Sequence, residues 1–175
     1  KAIYIVHMGG NPADLNSIRS IARKYGLVVV EDAAHAAGSE FNGNKIGHKS
    51  DIACFSFSTL KNITTLGEGG MFVTDNDDYA EKANMLRTNF PLGIRQKRRV
   101  AKNFENYPKP PSPAFMHAGD AWDYNWTEVE EIGSTYRLST AQAAVGRVQL
   151  KKLDQFNAKR EKIAKLYNKA ISKKG

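Results

Sequence analysis

Two residue types that can do chemistry together, an acid and a lysine, stand 29 positions apart at Asp32 and Lys61, each just past an apolar, β-prone run. Leu27-Val28-Val29-Val30 ends in Glu31-Asp32, and Ile52 to Ser58 leads through Thr59 and Leu60 to Lys61. A lysine beside a buried sheet edge is in the setting that favours a neutral amine, the form that attacks carbonyl carbon and makes a Schiff base. Ser56, Ser58 and Thr59 add hydroxyls at the same place. If both runs are strands of one sheet, acid and lysine can face one ligand, and Gly67, Gly69 and Gly70 let backbone approach it. Taken alone these residues also have ordinary readings, Asp32 as a helix cap or ion-pair partner and Lys61 as a surface lysine.

The elements that would position them read as α/β. Ala2 to His7 is a short β-prone run that opens with neither an initiator Met nor a preceding turn, as expected of a sequence cut from a longer one. Gly9-Gly10-Asn11-Pro12 breaks it, Asp14 or Asn11 can cap a helix whose face carries Leu15, Ile18, Ile21 and Ala22, and Gly26 stops that helix. The branched run that follows predicts a strand buried on both faces of a parallel sheet. Strand, helix, strand within about thirty residues is a βαβ unit, and ligands of such sheets gather beyond the carboxyl ends of the strands, where Asp32 falls. Residues 33–51 predict an irregular connection with a turn at Asn42-Gly43, Asp51 being a turn or backbone-capping acid. Met71 to Thr74 predicts a fourth strand and Asp78 to Arg87 a helix. Five of the six prolines and a basic run then fall between Phe90 and Trp126, a length of irregular chain expected of a functional or interface loop. Helical period returns from Ser139, first with Ala141, Ala144, Val145 and Val148, then with Leu150, Leu153, Phe156, Ile163, Ala164 and Tyr167.

With 175 residues, 41% of them apolar, the chain can bury one core. It has no apolar run long enough to cross a bilayer and no basic-apolar leader, so a soluble, cytoplasmic protein with no membrane partner is expected. The single cysteine, Cys54, excludes an internal disulfide and is expected to be a small buried hydrophobe. His7, His48 and His117 lack ligand spacing, so no metal site is expected. The net charge of +8 is concentrated in residues 95–102 and 159–174. It admits a nucleic-acid module in principle, but neither run interleaves aromatics and no helix-turn-helix or zinc spacing accompanies it.

Several separated stretches together carry a more specific signal: Val30-Glu31-Asp32-Ala33-Ala34-His35-Ala36, then Asp51 to Phe57 with Lys61-Asn62, then Gly67-Glu68-Gly69-Gly70. In this order they resemble the DegT/DnrJ/EryC1/StrS aminotransferases. Val6 to Asp14 and Ile132 to Leu138, followed by Ala141-Gln142-Ala143-Ala144, are similar to further stretches of that family. The resemblance implies fold type I of the pyridoxal 5′-phosphate-dependent transferases, with a mostly parallel sheet flanked by helices. It implies Lys61 as the Schiff-base lysine and proton carrier, Asp32 as the partner of the pyridine nitrogen, His35 near the cofactor ring and Ser56 on the cofactor phosphate. Thr135 stands where the family often has an asparagine that reaches the phosphate of the neighbouring subunit's cofactor, and its hydroxyl has a shorter reach. Glu68, Gly69 and Gly70 are expected to be structural.

The implied activity is transfer of an amino group, from glutamate as donor, to a keto sugar carried on a nucleotide, in a homodimer. The implied organisation is part of the cofactor-binding large domain over 1–91, an insertion or substrate and interface loop over 92–131 in which Arg95, Lys97, Arg98 and Arg99 suit an oxyanion, and helices over 132–175 leading toward a small domain that is missing. Relatives that dehydrate sugars or aminate cyclic ketones share the pattern, although the dehydratases commonly replace the lysine by His. An inactive dimerising fragment and a basic nucleic-acid binder are the readings from other classes.

Overall fold

Branched residues at Val28, Val29 and Val30 favour extended backbone, and they form one of the two inner strands of a four-stranded sheet in the computed structural model, which describes residues 1–87 and 133–172. The strands are β1 (Ala2–Val6), β2 (Val28–Asp32), β5 (Ile52–Ser56) and β6 (Gly70–Val73), in the order β1-β2-β5-β6. The pairs β1–β2 and β2–β5 are parallel, with Val6 opposite Asp32 and Asp32 opposite Cys54. β6 returns antiparallel to β5, with Ser56 opposite Gly70. The chain is therefore α/β with a mostly parallel sheet, and β5 ends two residues short of the predicted Ser58. The segment 92–131, with Arg95, Lys97, Arg98, Arg99 and His117, lies outside the described residues.

The crossover from β1 to β2 is α1 (Leu15–Tyr25), capped by Asp14, whose carboxylate accepts from the backbone N–H groups of Asn16 and Ser17. Gly26 ends it in left-handed backbone at φ 60°, which costs glycine nothing. Leu15 and Ala22 are buried, whereas Ile21, expected on the same face, is exposed. The residues from 33 to 51 are more ordered than an irregular connection: β3 (Glu40–Phe41) and β4 (Asn44–Lys45) pair antiparallel about Asn42 and Gly43, both at positive φ. Two positive φ values in a two-residue loop match the twist of a tight hairpin, and Asn-Gly is the pair that tolerates them.

The chain divides into two compact units, 1–75 with 138–175, and 76–137. The first holds the sheet and one continuous covered side. Leu15, Ala33, Ala36 and Ile46 bury together with Ile5, Phe41 and Phe55 against them. A second cluster, Ala37, Ile63 and Leu153 with Phe55, Phe57 and Phe156, joins the sheet to the second of two C-terminal helices, α3 (Thr140–Lys151) and α4 (Leu153–Ile171). Ser139 caps α3 in a reciprocal box with Gln142.

Burial departs from the sequence expectation in two places. β2 alternates buried and half-buried residues rather than being enclosed on both faces, because the described residues cover only the α1 side and leave Tyr4, Val6 and Phe72 exposed on the other. Of the apolar stripe on the last helices only Leu153 is buried; Leu150, Ile163 and Tyr167 are exposed. In the second unit, α2 (Asp77–Leu86) is capped by Asn76, and Gly133 to Arg137 runs beside its end through Ser134 N–H to Leu86 O and Tyr136 N–H to Arg87 O.

Candidate active site

Parallel pairing puts the carboxyl ends of β2 and β5 side by side, so the loops carrying Asp32, His35, Ser56 and Lys61 all leave from one edge of the sheet. Asp32 is the last residue of β2 and is half-buried. Its Oδ1 accepts from Ala34 N–H at 3.0 Å and its Oδ2 from the Tyr4 hydroxyl at 3.1 Å. Pleating places Cys54 and Ser56 on the face that carries Asp32. Cys54 is half-buried rather than buried as expected, and its thiol is pushed above its ordinary range, first by desolvation and then by the Asp32 charge, so it is a poor nucleophile. The Ser56 hydroxyl accepts from Ser58 N–H at 3.4 Å, which leaves its proton available to another acceptor.

Lys61 is half-buried in the loop beyond β5, its own N–H bonded to Ser58 O at 3.0 Å, and its ammonium has no hydrogen-bond or ion-pair partner among the described residues. The residues around it are pinned. Asn62 donates to Ala37 O at 3.1 Å, and Arg160 of α4 donates to Asn62 O at 3.2 Å. Ile63 is buried against Ala37 and Leu153. Farther along, Thr65 donates to Glu68 O and Gln142 of α3 donates to the same carbonyl at 3.0 Å. Gly69 lies against the Thr65 side chain with no room for a Cβ. Glu68 thus serves through its backbone, the structural role expected of it. Thr64 Oγ1, three residues past the lysine, is buried without a partner.

His35 is exposed, and its Nδ1 accepts from Gly9 N–H at 3.2 Å. Gly10 packs directly on the His35 carbonyl, 2.7 Å from where a Cβ would stand, and its φ of 82° is itself a glycine conformation. The loops after β1 and β2 are thereby locked together. Thr135 is exposed in the second unit, outside the unit that holds the other four residues.

Sequence reasoning missed two features. Behind the site, on the covered face, Glu31 is fully buried with three donors: His7 Nε2 at 3.2 Å, Arg19 at 3.2 Å and Gly47 N–H at 3.1 Å. His7 is equally buried; its Nδ1 accepts from Ala13 N–H, so the ring proton sits on Nε2 and points at the carboxylate. An acid inside an apolar run was the available signal, since a buried carboxylate demands partners. The second missed feature is Tyr4, whose bond to Asp32 depends on a strand register that no local pattern records. Asp51, in contrast, caps backbone as expected, accepting from Val29 N–H at 2.8 Å.

The family model of the DegT/DnrJ/EryC1/StrS aminotransferase family matches residues 1–174. The chain belongs to this family. An uncharacterized protein of Methanocaldococcus jannaschii is 43% identical over 168 residues, covering 96% of this chain and 38% of its own length. A UDP-4-amino-4,6-dideoxy-N-acetyl-beta-L-altrosamine transaminase of Campylobacter jejuni is 37% identical over 172 residues, 98% of this chain. Among solved structures, an aminotransferase from Psychrobacter cryohalolentis aligns at a TM-score of 0.77 and 29% identity over 99% of this chain and 39% of its own. The DegT/DnrJ/EryC1/StrS chain described here spans 38% of the length of these curated relatives.

Proposed function

We propose that the protein containing this chain is a pyridoxal 5′-phosphate-dependent aminotransferase that moves an amino group from an amino-acid donor, glutamate, to a keto sugar linked to a nucleotide. The observation that supports this reading is that Asp32 ends β2 and Lys61 follows the end of the adjacent parallel strand β5, so both leave from one sheet edge, with the lysine side chain unpartnered among the described residues. The printed activity of the Campylobacter jejuni relative supports the sugar substrate.

The donor set fits the cofactor. Asp32 keeps a free lone pair on each oxygen for a ring N–H, Ser56 has a hydroxyl proton to give to a phosphate, and His35 stands on the loop beside the acid. When bound, pyridoxal phosphate supplies an aldehyde conjugated to an electron-accepting ring. Lys61 Nζ is the group that would hold the cofactor's aldehyde carbon and, once released, would carry a proton to and from the reacting carbon. Asp32 would keep the ring nitrogen protonated by placing a negative charge against it. Thr135, with a shorter reach than the asparagine common in the family, would donate to the phosphate bound in the neighbouring subunit of a cytoplasmic homodimer, and Arg95, Lys97, Arg98 and Arg99 suit the anionic part of the substrate.

Incubation with the cofactor, borohydride reduction and peptide mass spectrometry test this reading. The expected result is a visible absorption band and a mass increment on the peptide carrying Lys61, both lost in Lys61→Ala. A protein that takes up no cofactor, or carries the increment on another lysine, would sink it.

A further inference from the structure

We propose that Tyr4 is a positioning residue: its hydroxyl fixes the plane of the Asp32 carboxylate so that the free lone pairs meet a protonated ring nitrogen, an assignment that rests on Asp32 pairing with that nitrogen as proposed above. The terminal torsion of an aspartate is broad and roughly two-fold, so one hydrogen bond leaves the carboxylate free to swing. Ala34 N–H, two residues along the same turn, tethers only Oδ1. The Tyr4 hydroxyl, from another strand, tethers Oδ2 and so removes that freedom.

Register makes this possible. Tyr4 pairs with Val30 and Val6 with Asp32, so Tyr4 lies on the acid's face one pleat repeat earlier, and the length of a phenol spans that repeat. On the other side of Asp32 stands Cys54, a weak donor. The phenol is held above its ordinary range chiefly by its hydrogen bond to Asp32, and therefore remains a donor through neutral and mildly alkaline pH. Tyr4 is 64% exposed, so its hydroxyl is not there to satisfy a core.

The test compares wild type, Tyr4→Phe and Asp32→Asn, each titrated with pyridoxal phosphate isotopically labelled at the ring nitrogen. The nitrogen chemical shift reports ring protonation, fluorescence quenching gives the dissociation constant, and circular dichroism checks the fold. In wild type the ring nitrogen is expected to be protonated at neutral pH and in Asp32→Asn unprotonated. Tyr4→Phe is expected to lose the ring proton at lower pH than wild type and to bind the cofactor about three- to tenfold more weakly, the worth of one oriented hydrogen bond, with an unchanged dichroism spectrum. Tyr4→Phe matching wild type in shift and affinity, or binding more tightly, overturns the role of Tyr4 while leaving that of Asp32 intact. An Asp32→Asn protein that keeps the wild-type shift, or a wild type that takes up no cofactor, overturns the reading of Asp32 itself and with it that of Tyr4.

Discussion

Glu31 and Asp32 are consecutive acids with opposite employment, because successive side chains of a strand face opposite sides of the sheet. Asp32 points to the uncovered side and carries the chemistry proposed for it. Glu31 points into the covered side, where His7, Arg19 and Gly47 satisfy it. Removing one member of a buried charge network leaves the others unpaired, so Glu31→Ala is expected to cost about 3 kcal/mol. The figure sits at the low end of such losses because the Arg19 side chain is 21% exposed and can turn to water. Urea unfolding checks it, and a midpoint equal to wild type would show that the network contributes nothing. Cys54 reports on Asp32 independently of any cofactor. Both burial and the Asp32 charge push its thiol up, so its reaction with a disulfide reagent at mildly alkaline pH should be slower than that of an exposed thiol. Asp32→Asn removes the second cause and should speed the reaction; no change would place the carboxylate away from the sulfur.

At the scale of elements, the loop of Lys61 is held from behind by α3 and α4 as well as by its own turns. Leu153 buries at the first residue of α4 against Ala37 and Ile63, and Asn157 and Asn62 both donate to Ala37 O. Leu153→Ala is expected to cost about 3 kcal/mol and to raise amide exchange across Ser58 to Gly69 ahead of β1 and β2. Uniform exchange over all these segments would refute that coupling. α1 offers a pH test. The Asp14 carboxyl is held below its ordinary range, chiefly by the Ser17 hydroxyl, which donates at 2.6 Å, and by Ser17 N–H. A depressed folded-state value means that the stabilisation is complete above the ordinary aspartate value of about 4 and is lost as pH falls below it. Asp14→Asn keeps a capping side chain but cannot titrate. Its unfolding midpoint should fall less than that of wild type on acidification, and parallel acid limbs would count against the cap.

For the whole molecule, charge and apolar exposure point in different directions. Lys159, Lys162, Lys165 and Lys169 are exposed along α4, the solvated face expected of a basic run. Oligonucleotide binding is therefore expected to be weak, to fall steeply with salt and to show no base preference; a preferred sequence would revive a nucleic-acid role. Among the described residues no helix is long and apolar enough to cross a membrane.

The α/β class, the βαβ unit, the Asp14 cap, the Gly26 stop and the Asn42-Gly43 turn were legible in the residues, because each depends on backbone preference or on hydrogen bonds within a few positions. Asp32 and Lys61 were legible as candidates from residue type and from their place just past apolar runs, whereas His35 and Ser56 entered through the resemblance to a family. That Glu31 turns into the covered face, that Tyr4 reaches Asp32 and that His7 serves Glu31 were decided only by tertiary structure. All three follow from strand register and from what covers each face, and both are set by packing between segments far apart in sequence.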